Sequence, residues 1–214
     1  MRRALAGAAL LSASTFAGFS AHRASHRPST LPFYRDSLLT PEFTTDTTAM
    51  HRVAPFALVD QSGTPVTERQ LDDHITVVSF FYSTCENLCP RLRSRLASVR
   101  DAVARNPRVQ LVSVTIAPEH DSASVVEAYA RVNGIERDRW LLLTGARAEI
   151  ERMARASFFA HAPMLRGAAA LHGETIWLVD DARRLRGLYN GTQPIDAQRL
   201  IEDIATLTSP RRGD

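Results

Sequence analysis

The feature that most restricts the fold is an apolar run followed at once by a helical pattern. Residues 75–82 are almost continuously apolar, which is typical of a strand buried on both faces of a sheet. Directly after it, apolar side chains recur at helical spacing at Leu88, Leu92, Leu96, Val99 and Val103. Pro90 is compatible with this helix because it falls in the first turn. The pattern therefore predicts a buried strand that leads directly into a helix.

Strand and helix patterns continue to alternate along the chain. Strands are predicted at residues 55–60, 109–116, 140–143, 175–179 and 185–189. Helices are predicted after a cap near Asp121 or Ser122, at residues 146–156 and at residues 195–207. Such alternation favours a mainly parallel central sheet with helices on both faces, and the late strand pair adds an antiparallel hairpin edge. The expected fold is a thioredoxin-like α/β three-layer sandwich.

The charge balance argues against a nucleic-acid partner. The chain has 214 residues, a net charge of +3 and a pI near 9.3. The basic excess is local, because residues 1–27 contain arginines and no acid, while the remainder is close to neutral. A composition of 44% hydrophobic and 23% charged residues predicts one ordinary globular domain.

The N-terminus has the form of an export signal. Two arginines follow Met1, and a weakly apolar run then extends through residues 4–21. We interpret residues 1–21 as a signal peptide or membrane anchor, residues 22–50 as a flexible tether and residues 51–209 as the domain. The domain is expected in the periplasm or on the outer face of a bacterial inner membrane.

The two cysteines of the chain lie at the predicted junction of strand and helix. Cys85 and Cys89 are within about one helical turn of each other, so they can share one ion or close one disulfide. The helix start directs backbone N–H groups and the positive end of the helix dipole at the sulfurs, which favours thiolate. A purely structural disulfide is disfavoured because so short a loop stabilises little. A four-cysteine zinc site is excluded by the count.

His172 is the strongest histidine candidate for a third ligand. It stands just before the predicted strand at residues 175–179, in a loop that a thioredoxin-like sheet places beside the cysteines. His161 is a weaker candidate, with Met164 three residues beyond it. The remaining histidines have ordinary interpretations as solvated or half-buried polar residues, namely His22, His26, His51, His74 and His120.

Several segments together carry a family resemblance. They are residues 55–60, the strand before Cys85-x-x-x-Cys89-Pro90, residues 114–121, residues 142–145, and His172 ahead of residues 176–180. Over roughly residues 52–208 the chain resembles the Sco/SenC family of copper chaperones. The joint occurrence of the cysteine turn and the later histidine is the most specific part. In two places the chain departs from the family pattern, with Ala117 and Leu171 where the family usually has Asp.

Two thiolates and one imidazole form a soft, three-coordinate ligand set that suits Cu(I) better than zinc. The resemblance implies a metallochaperone rather than an enzyme, with Cys85 and Cys89 as thiolate ligands and redox pair and His172 as third ligand. It implies delivery of copper to the dinuclear site of cytochrome c oxidase subunit II, or reduction of that site's cysteines. Attachment to a membrane would come through the N-terminus.

Two alternatives stay open at this point. In a thiol:disulfide oxidoreductase, Cys85 attacks a substrate disulfide and Cys89 resolves the mixed disulfide. A peroxide-scavenging or redox-sensing protein would need an activating Thr or Arg, for which Thr84 and Arg91 are near. The three-residue spacing and the presence of His172 count against the oxidoreductase.

Overall fold

The computed structural model describes residues 30–159 and 174–209. Its seven strands are β1 (Ala57–Asp60), β2 (Pro65–Thr67), β3 (Ile75–Phe81), β4 (Val109–Thr115), β5 (Trp140–Thr144), β6 (Thr175–Val179) and β7 (Leu185–Asn190). Its α-helices are α1 (Leu88–Ala102), α2 (Ala123–Val132), α3 (Arg147–Phe158) and α4 (Pro194–Thr208). A short 3-10 helix, Glu68–Leu71, follows β2.

All seven strands form one sheet in the order β2-β1-β5-β4-β3-β6-β7. The three central strands, β5, β4 and β3, are parallel. Strand β6 runs antiparallel to β3, and β7 runs antiparallel to β6. The predicted α/β fold with a parallel centre and an antiparallel hairpin edge is confirmed.

The opposite edge of the sheet contains a second antiparallel pair that the sequence pattern did not predict. Strand β1 pairs with β5 and with the three-residue β2, both antiparallel. The Asp60 carboxylate accepts hydrogen bonds from the backbone N–H groups of Ser62 and Thr64, and Gly63 adopts a φ of 78° in the turn. These contacts reverse the chain within four residues, as the turn residues Gln61, Ser62 and Gly63 indicate. The partner strand β2 was not predicted, because three residues are too few to show an alternating pattern.

Helices cover both faces of the sheet. Helices α1, α2 and α4 pack on one face, where Leu96, Val126 and Leu200 join the same buried cluster as Val77. Helix α3 packs on the other face, where Met153 lies in the cluster that contains strand residues such as Val78 and Trp177. Because neighbouring residues of β3 point to opposite faces, one mainly apolar strand contributes side chains to both clusters.

Residues 31–53, here called the strap, pack against the domain. Leu31 and Phe33 are buried. The Arg186 guanidinium donates to the backbone carbonyls of Pro32 (3.0 Å) and Leu31 (2.7 Å) and lies 3.8 Å from the centre of the Phe33 ring. The start of the strap, which lies within the segment expected to be a tether, therefore makes specific contacts with β7.

Three of the predicted features fall in other parts of the chain. The predicted leader, residues 1–21, lies outside the described residues, and so do His161 and His172. Among the helices of residues 30–159 and 174–209, none has the length and apolar character needed to cross a bilayer.

Candidate metal and redox site

The two cysteines lie where β3 passes into α1. Cys85 is in the connecting loop and partly exposed, whereas Cys89 is in the first turn of the helix and only 4% exposed. Both are free thiols, and the backbone N–H of Cys89 donates to the Cys85 sulfur over 3.3 Å. The structure thus brings both predicted sulfurs together at the start of the helix.

The Cys85 sulfur caps the start of α1 by accepting a hydrogen bond from the Cys89 N–H. Asn87 occupies the N-cap position but its side chain makes no capping hydrogen bond, and the first turn of α1 contains no acid. The first N–H groups of a helix have no partner within the helix, so a nearby anion or polarisable acceptor stabilises them. Negative charge on Cys85 is therefore favoured by its position.

The same contacts separate the pKa values of the two thiols. Burial would raise the pKa of Cys85, but hydrogen bonds from the Cys89 backbone and thiol, the Tyr82 hydroxyl and the Asn87 backbone outweigh burial and lower this pKa to about 7. Deeper burial raises the pKa of Cys89 to about 12, and the adjacent Cys85 charge acts in the same direction. At pH 7 Cys85 is therefore about half ionised, whereas Cys89 is a thiol.

A buried carboxylate fixes the loop that carries Cys85. Asp121 is fully buried, and it accepts hydrogen bonds from the backbone N–H of Ser83 over 3.0 Å, from the Ser83 hydroxyl and from the Thr115 hydroxyl at the end of β4. Burial would raise the pKa of Asp121, but these bonds and one from His120 outweigh it and lower the pKa. The loops after β3 and β4 are thereby joined two residues before Cys85.

Sequence patterns identified Asp121 only as a helix cap. In the structure Ser122 is the N-cap residue of α2, and the Asp121 side chain turns toward the cysteine loop instead. The signal that could have revealed this role is positional. Loops that follow adjacent parallel strands meet at one edge of the sheet, so a carboxylate after β4 falls close to the loop after β3.

Three of the other histidines have structural partners. His120 is about half exposed and its Nδ1 lies 2.8 Å from Asp121 and 3.3 Å from the Ser83 hydroxyl. His51 lies 2.9 Å from the Ser157 carbonyl and contacts the Phe159 ring, and burial lowers its pKa. His74 interacts through Nδ1 with a backbone carbonyl two residues earlier. Of the three histidines within residues 30–159 and 174–209, His120 is the one that lies near the cysteine loop.

Strand β6, which follows His172 in the sequence, begins at the end of the sheet where β3 leads into the cysteine loop. Strand β6 runs antiparallel to β3, with Trp177 opposite Val78, so its first residues lie near the end of β3. Glu174 directly precedes β6, and its carbonyl accepts a hydrogen bond from the Gly191 N–H. A side chain at Gly191 would collide with Leu92, one turn after Cys89.

This arrangement has two chemical capabilities. A pair of thiols at a helix N-terminus can bind a soft cation, and it can also cycle between dithiol and disulfide. Within residues 30–159 and 174–209, no group of three or more His, Cys, Asp and Glu side chains is arranged to hold a metal ion.

A family model described as SCO1/SenC matches residues 44–209, which include both cysteines, the Asp121 loop and β6. The chain belongs to the SCO1/SenC family. The match starts within the strap, so this SCO1/SenC domain includes part of the segment that precedes β1.

Individual SCO1/SenC relatives agree with this assignment. The chain is 25% identical over 162 residues to a SCO1 protein homolog of Bacillus subtilis, covering 74% of this chain and 84% of the relative. It is 32% identical over 103 residues to the mitochondrial SCO1 homolog 1 of Arabidopsis thaliana, covering 47% of this chain and 30% of that protein.

Solved SCO1/SenC structures have the same fold. BsSco, described as a Sco-family cytochrome c oxidase assembly protein with a disulfide switch, has a TM-score of 0.66 at 24% identity, covering 75% of this chain and 95% of BsSco. Bradyrhizobium japonicum ScoI, solved with copper bound, has a TM-score of 0.60 at 21% identity, covering 73% of this chain and 99% of ScoI. The thioredoxin-like sandwich predicted from the sequence is thereby confirmed.

Proposed function

We propose that this SCO1/SenC protein is an exported copper chaperone that carries one Cu(I) on Cys85, Cys89 and His172 for the copper site of cytochrome c oxidase subunit II. The observation that carries the proposal is the position of the thiol pair at the start of α1. This is the same end of the sheet at which β6, the strand that follows His172 in the sequence, begins. Three of the similar solved structures are Sco proteins with copper bound, and BsSco is described as an oxidase assembly protein.

The proposed ligand set fits Cu(I) on chemical grounds. Thiolate sulfur and imidazole nitrogen are soft to intermediate donors, and Cu(I) accepts three-coordinate sites that zinc does not favour. His172 precedes Glu174 by two residues, and two residues of chain span at most about 7 Å. Glu174 is hydrogen-bonded to Asn190 and Gly191 at the end of β7, and Gly191 lies against Leu92 of α1.

Export is part of the same proposal. Residues 1–21 have the composition of a signal peptide or anchor, and a structurally similar protein from Bacillus anthracis is described as a SCO1/SenC family lipoprotein. Ala117 and Leu171, which replace acids usual in the family, lie outside the ligand set. Loss of a partner that orients an imidazole typically lowers metal affinity by roughly 10- to 100-fold.

The ligand set is tested by loading the reduced protein with Cu(I) without oxygen and recording X-ray absorption. Two sulfurs and one nitrogen are expected, and His172→Ala should lose the nitrogen. His161→Ala is the matched control, because it removes an imidazole from the same part of the chain and should leave the spectrum unchanged. If His172→Ala has the wild-type spectrum and His161→Ala has a changed one, the third ligand is His161 and not His172.

A thiol:disulfide oxidoreductase remains the second candidate, because Cys85 has a low pKa and partial exposure while Cys89 is buried beside it. In that reaction the Cys85 thiolate attacks a substrate disulfide and releases one substrate thiolate. Cys89 then loses its proton to solvent and displaces the second thiolate, so the substrate is reduced and the pair becomes a disulfide.

His172 separates the two functions, since an imidazole completes the metal site but is not required for thiol exchange. We expect His172→Ala to lose most support of oxidase assembly in copper-limited cells and to keep its turnover on a model disulfide. Cys85→Ser should lose both activities. Normal oxidase support by His172→Ala, combined with efficient turnover of the disulfide by wild type, would favour the oxidoreductase.

A further inference from the structure

Three arginines follow the cysteines along the first two turns of α1. Arg91, Arg93 and Arg95 are here called the arginine patch; Arg91 is exposed and the other two are partly exposed. Within the described residues, none of the three has a carboxylate within 4.0 Å, and Arg93 contacts the hydroxyl of Tyr129. The rest of the chain contains a single acidic side chain, Asp214.

The arginine patch differs from the eleven of nineteen described arginines that pair with an acid. Typical pairs are Arg100 with Asp101, Arg108 with Asp181, Arg147 with Glu119 and Arg183 with Asp72. These pairs neutralise arginines on several elements of the domain. The charges of the arginine patch remain available to a partner molecule.

The position of the patch is unfavourable for the isolated helix. Cations are destabilising near a helix N-terminus, where the backbone dipole is positive, and α1 has no acid in its first turn. Arg91 and Arg95 are four residues apart, so two like charges lie side by side on one face. The buried face of α1 is formed by Cys89, Leu92, Leu96 and Val99, so the exposed Arg91 adds little to the core. Neither helix stability nor packing accounts for the exposed Arg91.

The patch lies beside the sulfurs. At about 1.5 Å per residue, Arg91, Arg93 and Arg95 lie within about 9 Å of Cys89 along the helix axis. Other charges on this edge are compensated internally, since Glu119 pairs with Arg147 and Asp121 is buried in hydrogen bonds. Glu86 is the nearest exposed acid in sequence, and the patch outnumbers it by three to one.

We propose that the arginine patch docks an acidic protein surface that surrounds the thiols accepting copper. This inference rests on the proposed function and specifies the kind of partner. Docking would bring the acceptor's thiols to the ion, which moves by ligand exchange and stays Cu(I). The acceptor thiols release protons to solvent as they bind copper. As the ion leaves, Cys89 regains a proton from solvent and Cys85 is left as a mixture of thiolate and thiol. No electron is transferred.

The test uses two synthetic acceptor peptides with the same pair of cysteines, flanked either by glutamates or by glutamines. The Cu(I)-loaded full-length protein is mixed with each peptide without oxygen, and transfer is followed by stopped-flow spectroscopy. Wild type is compared with Arg91→Gln/Arg95→Gln. The matched control is Arg105→Gln/Arg131→Gln, which removes the same charge from exposed positions at the far ends of α1 and α2.

Wild type should transfer copper to the glutamate peptide about tenfold faster than to the glutamine peptide at low ionic strength. The advantage should fall to about twofold in Arg91→Gln/Arg95→Gln, stay unchanged in the control and disappear near 0.5 M salt, where screening extends over only a few ångströms. Equal losses in both double variants would overturn the proposal, because net charge alone would then explain them. An equal rate with both peptides for wild type would overturn it as well.

Copper stoichiometry distinguishes this inference from the proposed function. If all three proteins bind one Cu(I) and the two peptides react equally, the arginine patch has no docking role but the chaperone proposal stands. If wild type binds no Cu(I), the proposed function fails and the docking role with it. One Cu(I) per protein with a selective loss in Arg91→Gln/Arg95→Gln supports both.

Discussion

Lowering the pH from 8 to 6 should weaken Cu(I) binding in two stages, because the two sulfurs hold their protons with different strength. Burial opposes ionisation of Cys85, but hydrogen bonds from Cys89 and Tyr82 lower its pKa to about 7. Burial raises the pKa of Cys89 to about 12. Copper needs both sulfurs as thiolates. At pH 8 binding therefore displaces mainly the Cys89 proton, and at pH 6 it displaces both protons.

The size of the effect follows from these pKa values. Protonation of Cys89 weakens apparent affinity about tenfold per pH unit, or about 100-fold from pH 8 to pH 6. Protonation of Cys85 adds about tenfold, of which about twofold comes above pH 7 and about fivefold below it, which gives a total of about 1,000-fold. With an ordinary thiol pKa at Cys85 the total would be roughly 10,000-fold. An imidazole ligand of ordinary pKa adds only about fourfold over this range.

The assay is competition with a Cu(I) chelator of known pH dependence, together with proton release in weak buffer containing an indicator dye. We expect about 1.1 protons per copper from the two cysteines at pH 8 and about 1.9 at pH 6. Running the same titration on His172→Ala removes the imidazole contribution. Cys85→Ser serves as the control and should release one cysteine proton at both pH values.

Two results would refute this reasoning. Release of two protons at pH 8 would mean that Cys85 is still a thiol there, so that its contacts with the helix start do not lower its pKa. Release of one proton at pH 6 would mean either that Cys85 ionises below that pH or that it does not bind copper. The affinity of Cys85→Ser separates these cases, because it should fall only if Cys85 is a ligand.

Three further variants test the surroundings of the site. Asp121→Asn should destabilise the fold by about 2–4 kcal/mol in urea unfolding, since it removes a buried charge acceptor from Ser83; an unchanged midpoint would contradict this. Tyr82→Phe should raise the pKa of Cys85, read from the pH dependence of its alkylation, and an unchanged pKa would remove the hydroxyl from its causes. Arg186→Met should release the strap and speed proteolysis within residues 31–53, while equal rates would show that other contacts suffice.

The sequence predicted the elements that depend on residues close together in the chain. It did not predict features that depend on contacts between residues far apart in the chain. The apolar run before Cys85 ends as strand β3 at Phe81, and strand β6 has the bounds predicted for it. Both are buried on two faces and are therefore mainly apolar in sequence. The strap was missed because its polar composition resembles a linker, and what holds it is Arg186, more than 150 residues away.

The sequence predicted where the two cysteines lie but not the contacts that surround them. The junction of strand and helix located Cys85 and Cys89, because the change of period is visible in a single segment. The contact between Asp121 and Ser83 was not predictable from local pattern, since it depends on β3 and β4 being neighbours in the sheet. The unequal pKa values of the cysteines likewise depend on tertiary structure, namely the burial of Cys89 and the hydrogen bonds made to Cys85.

The unequal exposure of the two sulfurs determines the order in which a bound ion would be given up. Cys85 is reachable from solvent, whereas Cys89 is 4% exposed and packs with Leu92 against the sheet. An incoming thiolate would thus replace Cys85 first, and the ion would pass through an intermediate that is still held by Cys89. Release would be stepwise, and of the two sulfur bonds the bond from Cys89 to the ion would break last.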